Sequence, residues 1–303
     1  MKLMLAYILN ISGWLLLPFM DGIAKYLSSE IHFIQVVWGR YFFMLLVSFP
    51  LAFIFFRKEI SFPKSISVQL FRSFFLFLST VFFFYAISVI TLAEALTLAF
   101  ISPIIVTILS IFYLKEKVGI HRWTAVLIGF FGVMIIIRPG FIEINFASFS
   151  AIAAGISYAF YIIYTRKLSF TDSAVVTLLF TGIVGCIFIS LIVPFYWINL
   201  DLRQLLLLIS LASIGTLGHF LIILSLRLGE ASKLAPLGYF EISTNILVGY
   251  AFFGDLPDIW IYLGLSLIVF SGIYIFIRER KEIKKLISFS SCLIYKYCNR
   301  SKQ

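Results

Sequence analysis

Along this chain, long apolar runs alternate with brief polar breaks. The runs fall at 4–20, 36–56, 69–90, 92–114, 123–137, 146–164, 174–197, 205–226, 234–253 and 259–277. Most approach the ~20 residues that cross ~30 Å of hydrocarbon as a helix. The fifth is short at its core but can begin at Ile120. Backbone facing lipid must satisfy its own hydrogen bonds, so these runs are expected as helices and not as open strands. The connections leave no room for a soluble domain. The pattern predicts an all-α membrane protein with ten transmembrane helices.

Composition agrees. Of 303 residues, 62% are hydrophobic and 13% charged, with a mean hydropathy of +1.07. Soluble domains carry about a quarter charged residues, so this much apolar surface needs lipid as its solvent. The net charge of +10 would suggest nucleic acid in a soluble protein. Here it sits in loops and tail and reads as topology. With the N-terminus in the cytoplasm, inward loops carry Arg57, Lys58, Lys64, Lys115, Lys117, Arg122, Arg166, Lys167, Arg227 and Lys233, against Lys25, Arg138 and Arg203 outside. The tail adds Arg278, Arg280, Lys281, Lys284, Lys285, Lys296, Arg300 and Lys302. Both termini are therefore expected in the cytoplasm, with the tail lying on anionic lipid and no nucleic-acid partner. Met1–Met20 has the look of a signal peptide, but no small-residue cleavage site follows, so it is expected to stay as the first anchor. Cys186, Cys292 and Cys298 form no CxxC pair.

A shift of 139 residues lays the second half on the first over some fifty positions: Phe100-Ile101 falls on Tyr239-Phe240, Lys115-Glu116-Lys117 on Gly254-Asp255-Leu256, and Trp123 on Tyr262. Five spans per half is an odd number, so the halves must enter the membrane from opposite faces. The expected architecture is thus two inverted five-helix repeats, over 3–138 and 145–277, followed by a basic tail at 278–303. Transporters use that plan to hold substrate near the midplane between the halves.

The residues that carry the repeat also resemble a known family. Leu92-Ala-Glu94-Ala-Leu-Thr-Leu-Ala-Phe-Ile-Ser102-Pro103, then Leu114-Lys-Glu116-Lys-Val and Trp123, resemble an EamA domain of the drug/metabolite transporter superfamily. The second copy is Gly229-Glu-Ala-Ser232-Lys-Leu-Ala-Pro236-Leu-Gly-Tyr-Phe-Glu241 with Phe253-Gly-Asp255-Leu-Pro257. It departs from the usual pattern at Ile242, where proline is common. Met20-Asp21-Gly-Ile-Ala-Lys25-Tyr-Leu and Val37-Trp38-Gly-Arg40-Tyr are similar to a branch that takes up S-adenosylmethionine in obligate intracellular bacteria. The resemblance implies S-adenosylmethionine as the small-molecule substrate, S-adenosylhomocysteine as its exchange partner, a bacterial inner membrane, and no cofactor. A homodimer is compatible with it.

Ionisable groups at membrane depth are costly and therefore candidates for function. Asp21 and Lys25 stand one turn apart and read either as a self-neutralising pair or as a gate. Arg40 reads either as a tie to Asp21 or Glu94 at the outer ends, or as a receptor for a substrate carboxylate. Arg72, at the start of the third span, is expected to snorkel to the inner headgroups. Glu241 is the most deeply placed acid, open to a cation or proton role or to a structural hydrogen bond. His219 reads as a packed histidine. Trp14, Trp38, Tyr158, Tyr161, Tyr239 and Phe100 could face a sulfonium through cation–π contact. There is no GxxxxGK[ST] loop, HExxH, Cys/His cluster or GxSxG turn, so an enzyme is not expected. An exporter of amino acids, drugs or other metabolites stays open, as does a non-transporting membrane enzyme or sensor.

Overall fold

The computed structural model describes residues 2–137, 145–253, 259–260, 262–274 and 277–278. Asp255, residues 138–144 with Arg138 among them, and nearly all of the basic tail lie outside the described residues. All the regular structure among the described residues is helical, with no strand. In order the helices are α1 (Lys2–Ser28), α2 (Phe33–Phe55), α3 (Ile66–Val89), α4 (Leu92–Ala99), α5 (Ser102–Tyr113), α6 (Ile120–Ile137), α7 (Phe146–Leu168), α8 (Ala174–Ser190), α9 (Leu202–Leu228), α10 (Ala231–Leu234), α11 (Glu241–Phe253) and α12 (Tyr262–Tyr274).

Six stretches among the described residues are long and apolar enough to cross a membrane: α1, α2, α3, α7, α9, and α4 with α5 taken together. Helices α6, α8 and α12 are shorter and apolar. The outer surface carries Ile54, Phe112, Phe131, Ile187 and Phe252 exposed, while Gln69, Arg72, Thr107 and Ser225 are wholly buried. A soluble protein arranges these classes the other way round. With the family evidence below, this makes the chain a multi-pass membrane protein.

Local chemistry sets the breaks. Thr91 and Glu94 form a capping box that starts α4, Thr91 Oγ accepting from the Glu94 N–H while Glu94 accepts from the Thr91 N–H. Pro103 in the first turn of α5 cannot continue α4. Pro236 likewise opens a 3-10 stretch, Ala235–Phe240, between α10 and α11. By contrast α1 runs unbroken through Pro18. The run at 174–197 is helical only to Ser190, because Pro194 turns Val193–Tyr196 into a 3-10 segment.

Helix α1 lies along α9 and α3 along α7. Small residues permit the closest approaches. A Cβ on Gly13 would come within 2.8 Å of the Gly218 carbonyl, and one on Gly155 would collide with the Ala99 backbone at the α4–α5 break.

At one end of the bundle a polar clasp joins the α5–α6 loop to the start of α10. Glu116 accepts from the backbone N–H groups of Ala231 and Ser232, both at 3.0 Å, and from Ser232 Oγ at 2.5 Å. Arg122 donates to Ser232 Oγ at 2.8 Å and pairs with Glu230 at 2.9 Å. Lys233 pairs with Glu230, and Arg166 lies 3.8 Å from Glu116 while donating to the Leu226 carbonyl. Lys115 holds a positive φ of 54°, which turns the chain so that Glu116 faces α10.

Candidate functional site

Helix α1 presents Asn10, Trp14, Leu17 and Asp21 on one stripe, at the three- and four-residue spacing of a single helical face. Asn10 ties this stripe to Ser225 of α9 and accepts from the Trp14 indole. Opposite it, α2 brings in Arg40, α3 Thr80, α7 Tyr158, α9 His219 and the first residue of α11 Glu241. These groups wall a cavity of about 70 Å³, floored by Phe100 and Ser102 at the α4–α5 break. Its position between eight helices, beside the two broken segments, is where an inter-helix ligand site is expected.

The charged groups here are deeply buried: Asp21 is 3%, Glu241 5% and Arg40 6% exposed. Arg40 Nη1 donates to Thr80 Oγ1 at 2.8 Å, and Nη2 lies 2.7 Å from His219 Nε2. The Thr80 hydroxyl donates a hydrogen bond to the Leu76 carbonyl and also meets Tyr41 Oη at 2.8 Å. No ion pair joins Arg40 to Asp21 or Glu94 among the described residues, and Asp21 Oδ1 has no hydrogen-bond partner among them. A connected aromatic wall runs from Trp14 to Tyr158 (5.5 Å between ring centroids) and from Tyr158 to Tyr161 (5.1 Å), then to His219 edge-on. Tyr158 Oη has no partner among the described residues.

Of the residues expected from sequence, the cavity gathers Asp21, Arg40, Glu241, Trp14 and Tyr158. Tyr161 stands one layer behind, against His219. Tyr239 packs on Phe100 in a separate cluster with Leu96, Val133, Ile242 and Ile268. Trp38 faces away, stacking on Phe42 and meeting Trp197 edge-on. Lys25 donates to the Ile87 and Ile90 carbonyls and so closes the C-terminal end of α3. Glu94 is spent on its capping box.

One expectation is corrected. Arg72 does not snorkel: it is fully buried, bonded to Thr165 Oγ1, the Thr177 carbonyl and Thr181 Oγ1, with its guanidinium over the Tyr161 ring. The hydroxyls and the ring that hold it come from α7 and α8, 89 or more residues further on, and supply what headgroup water would have given. Sequence reasoning also passed over Thr80, while His219 is packed as expected, 4% exposed and 2.7 Å from Arg40 Nη2. Thr80 carries no signal of its own, whereas a histidine at mid-span is itself an intramembrane ionisable group.

Comparison with known proteins places the chain as a whole. Residues 4–138 match the EamA-like transporter family. A protein of Rickettsia bellii named S-adenosylmethionine uptake transporter is 27% identical, over 91% of this chain and 96% of its own. A Vibrio cholerae riboflavin transporter is 31% identical over 63% and 65%, and an uncharacterized transporter of Helicobacter pylori 31% over 67% and 72%. A solved crystal structure only 15% identical superposes with a TM-score of 0.76 over 91% of this chain and 98% of its own, which extends the fold across both halves. A family match over the first half, relatives along most of the length and a fold shared end to end agree: this chain belongs to the EamA-like transporter family.

Proposed function

We propose that the chain is a secondary transporter that takes up S-adenosylmethionine across a bacterial inner membrane by alternating access, exchanging it for S-adenosylhomocysteine. The observation that carries this reading is the cavity itself, where buried acids meet an aromatic wall beside a broken helix. Glu241 and Asp21 would offset the substrate's positive charge, and Trp14 and Tyr158 would face its sulfonium. Ten crossings arranged as two inverted repeats, with both termini cytoplasmic, complete the scheme. Helices α6, α8 and α12 and the interrupted 231–253 segment would supply the four crossings beyond the six long ones.

A volume of about 70 Å³ is well below the ~300–1,000 Å³ of ordinary ligand pockets. Substrate therefore needs the helices to part, as a cycle between closed and open forms would provide. The relatives named for S-adenosylmethionine uptake support the cargo. The relative named for riboflavin supplies the competing cargo.

The test is uptake of radiolabelled S-adenosylmethionine by bacterial cells expressing the chain, against a vector control. Saturable uptake blocked by unlabelled S-adenosylmethionine and S-adenosylhomocysteine, but not by methionine or riboflavin, is the expected result. Absence of uptake with the protein shown in the membrane sinks the cargo. Lowered internal substrate relative to the control would instead establish an exporter.

A further inference from the structure

We propose, resting on the transporter reading above, that the cavity recognises an α-amino-acid headgroup: Arg40 receives the carboxylate, Asp21 the ammonium, and His219 is the positioning residue that aims Arg40.

Charges buried away from water ordinarily come paired, because an uncompensated ion is costly in a low-dielectric interior. This site breaks that habit twice. A guanidinium has five N–H donors, and the protein partners found for Arg40 are both neutral, Thr80 Oγ1 and the His219 ring. Across the same cavity Asp21 Oδ1 accepts nothing from the described residues. A ligand bearing only a cation would satisfy Asp21 and leave the Arg40 guanidinium with no anion in hydrogen-bond contact. One bearing only an anion would do the reverse. An α-amino acid carries both charges on one carbon and satisfies both groups together, and its planar carboxylate matches the guanidinium fork.

The surroundings fix Arg40 for that task. A guanidinium can only donate, so His219 Nε2 must be the acceptor and the imidazole proton must sit on Nδ1, 3.4 Å from Tyr161 Oη. Thr80 is fixed in the same way, since its proton is committed to the Leu76 carbonyl. One arm of Arg40 is thus held from α3 and the other from α9.

Binding to the purified full-length chain separates the parts. The ligands are S-adenosylmethionine and its decarboxylated analogue, which keeps the ammonium, sulfonium and adenosine. Arg40→Gln is expected to weaken S-adenosylmethionine by about 10–100-fold, the worth of a charge-assisted hydrogen bond, and not to weaken the decarboxylated analogue, which loses only a like-charge neighbour. Asp21→Asn weakens both. His219→Leu reproduces the Arg40→Gln pattern at smaller size, while His219→Gln, which keeps an acceptor, restores discrimination. Arg40→Lys keeps the buried cation but not the fork, so a loss of discrimination there is independent of folding.

Equal loss of both ligands in Arg40→Gln, or equal affinity of the wild type for both, overturns the headgroup assignment. If the wild type binds no adenosyl compound, the cargo named above falls. The headgroup is then decided by methionine, phenylalanine and lysine against their decarboxylated amines. A preference for the amino acids that vanishes in Arg40→Gln upholds it, and no preference or no binding overturns it.

Discussion

Two charge clusters among the described residues, the half-buried clasp and the buried central cavity, are built on opposite rules. In the clasp, Glu116 accepts three hydrogen bonds from the start of α10, with Arg166 nearby, and Arg122, Glu230 and Lys233 close on one another. In the central cavity, Arg40 hydrogen-bonds only to neutral groups and Asp21 keeps a bare oxygen. A cluster that completes itself fastens the fold and has nothing left to offer a ligand. A cluster left incomplete carries a standing cost that a ligand can relieve. Polar content alone does not mark a site; unmet polar valence gathered around one cavity does.

The comparison breaks first if the cavity charges prove dispensable. Glu241→Gln is expected to abolish transport while the protein still inserts and purifies, so normal flux in that variant would remove Glu241 from the cycle. A smaller effect is expected from the clasp. Glu116→Ala removes the acceptor of two helix-start N–H groups, a loss of about 1–2 kcal/mol by analogy with helix caps. A thermal melt in detergent should fall by roughly 2–4 °C per kcal/mol, with ligand affinity unaltered. Affinity that changed more than the melt would show the two clusters to be one system.

The smallest effect is on acid stability. Burial pushes the Glu230 carboxyl up, but the Lys233 hydrogen bond and the Arg122 charge outweigh it and leave the group below the ordinary carboxylate range. A depressed folded value contributes stability above the unfolded value, and that contribution is lost as pH falls through the folded one. The melt should therefore decline below about pH 4, and Glu230→Gln should flatten that decline slightly.

Sequence made the general plan readable because hydrophobic runs and intramembrane charge are local signals. Asp21, Arg40 and Glu241 stand out among apolar neighbours without knowledge of any partner. The misreading of Arg72 has the opposite cause: its place near a helix start looked exposed, and only the fold brings Thr165, Thr177 and Thr181 around it. Lys25 and Glu94 were visible as charges, but their work is on backbone, at the end of α3 and the start of α4. Trp38 and Tyr239 show the limit for aromatics. In a chain with 35 phenylalanines and 15 tyrosines, composition cannot say which ring faces the interior.

The clasp also bears on the order of assembly. Helix α10 spans only Ala231–Leu234, too short to persist by itself, and its first N–H groups are met by a carboxylate 115 residues upstream. During synthesis Glu116 is in place long before its partners emerge. The first half is therefore expected to act as a template on which the interrupted segment through α11 settles late.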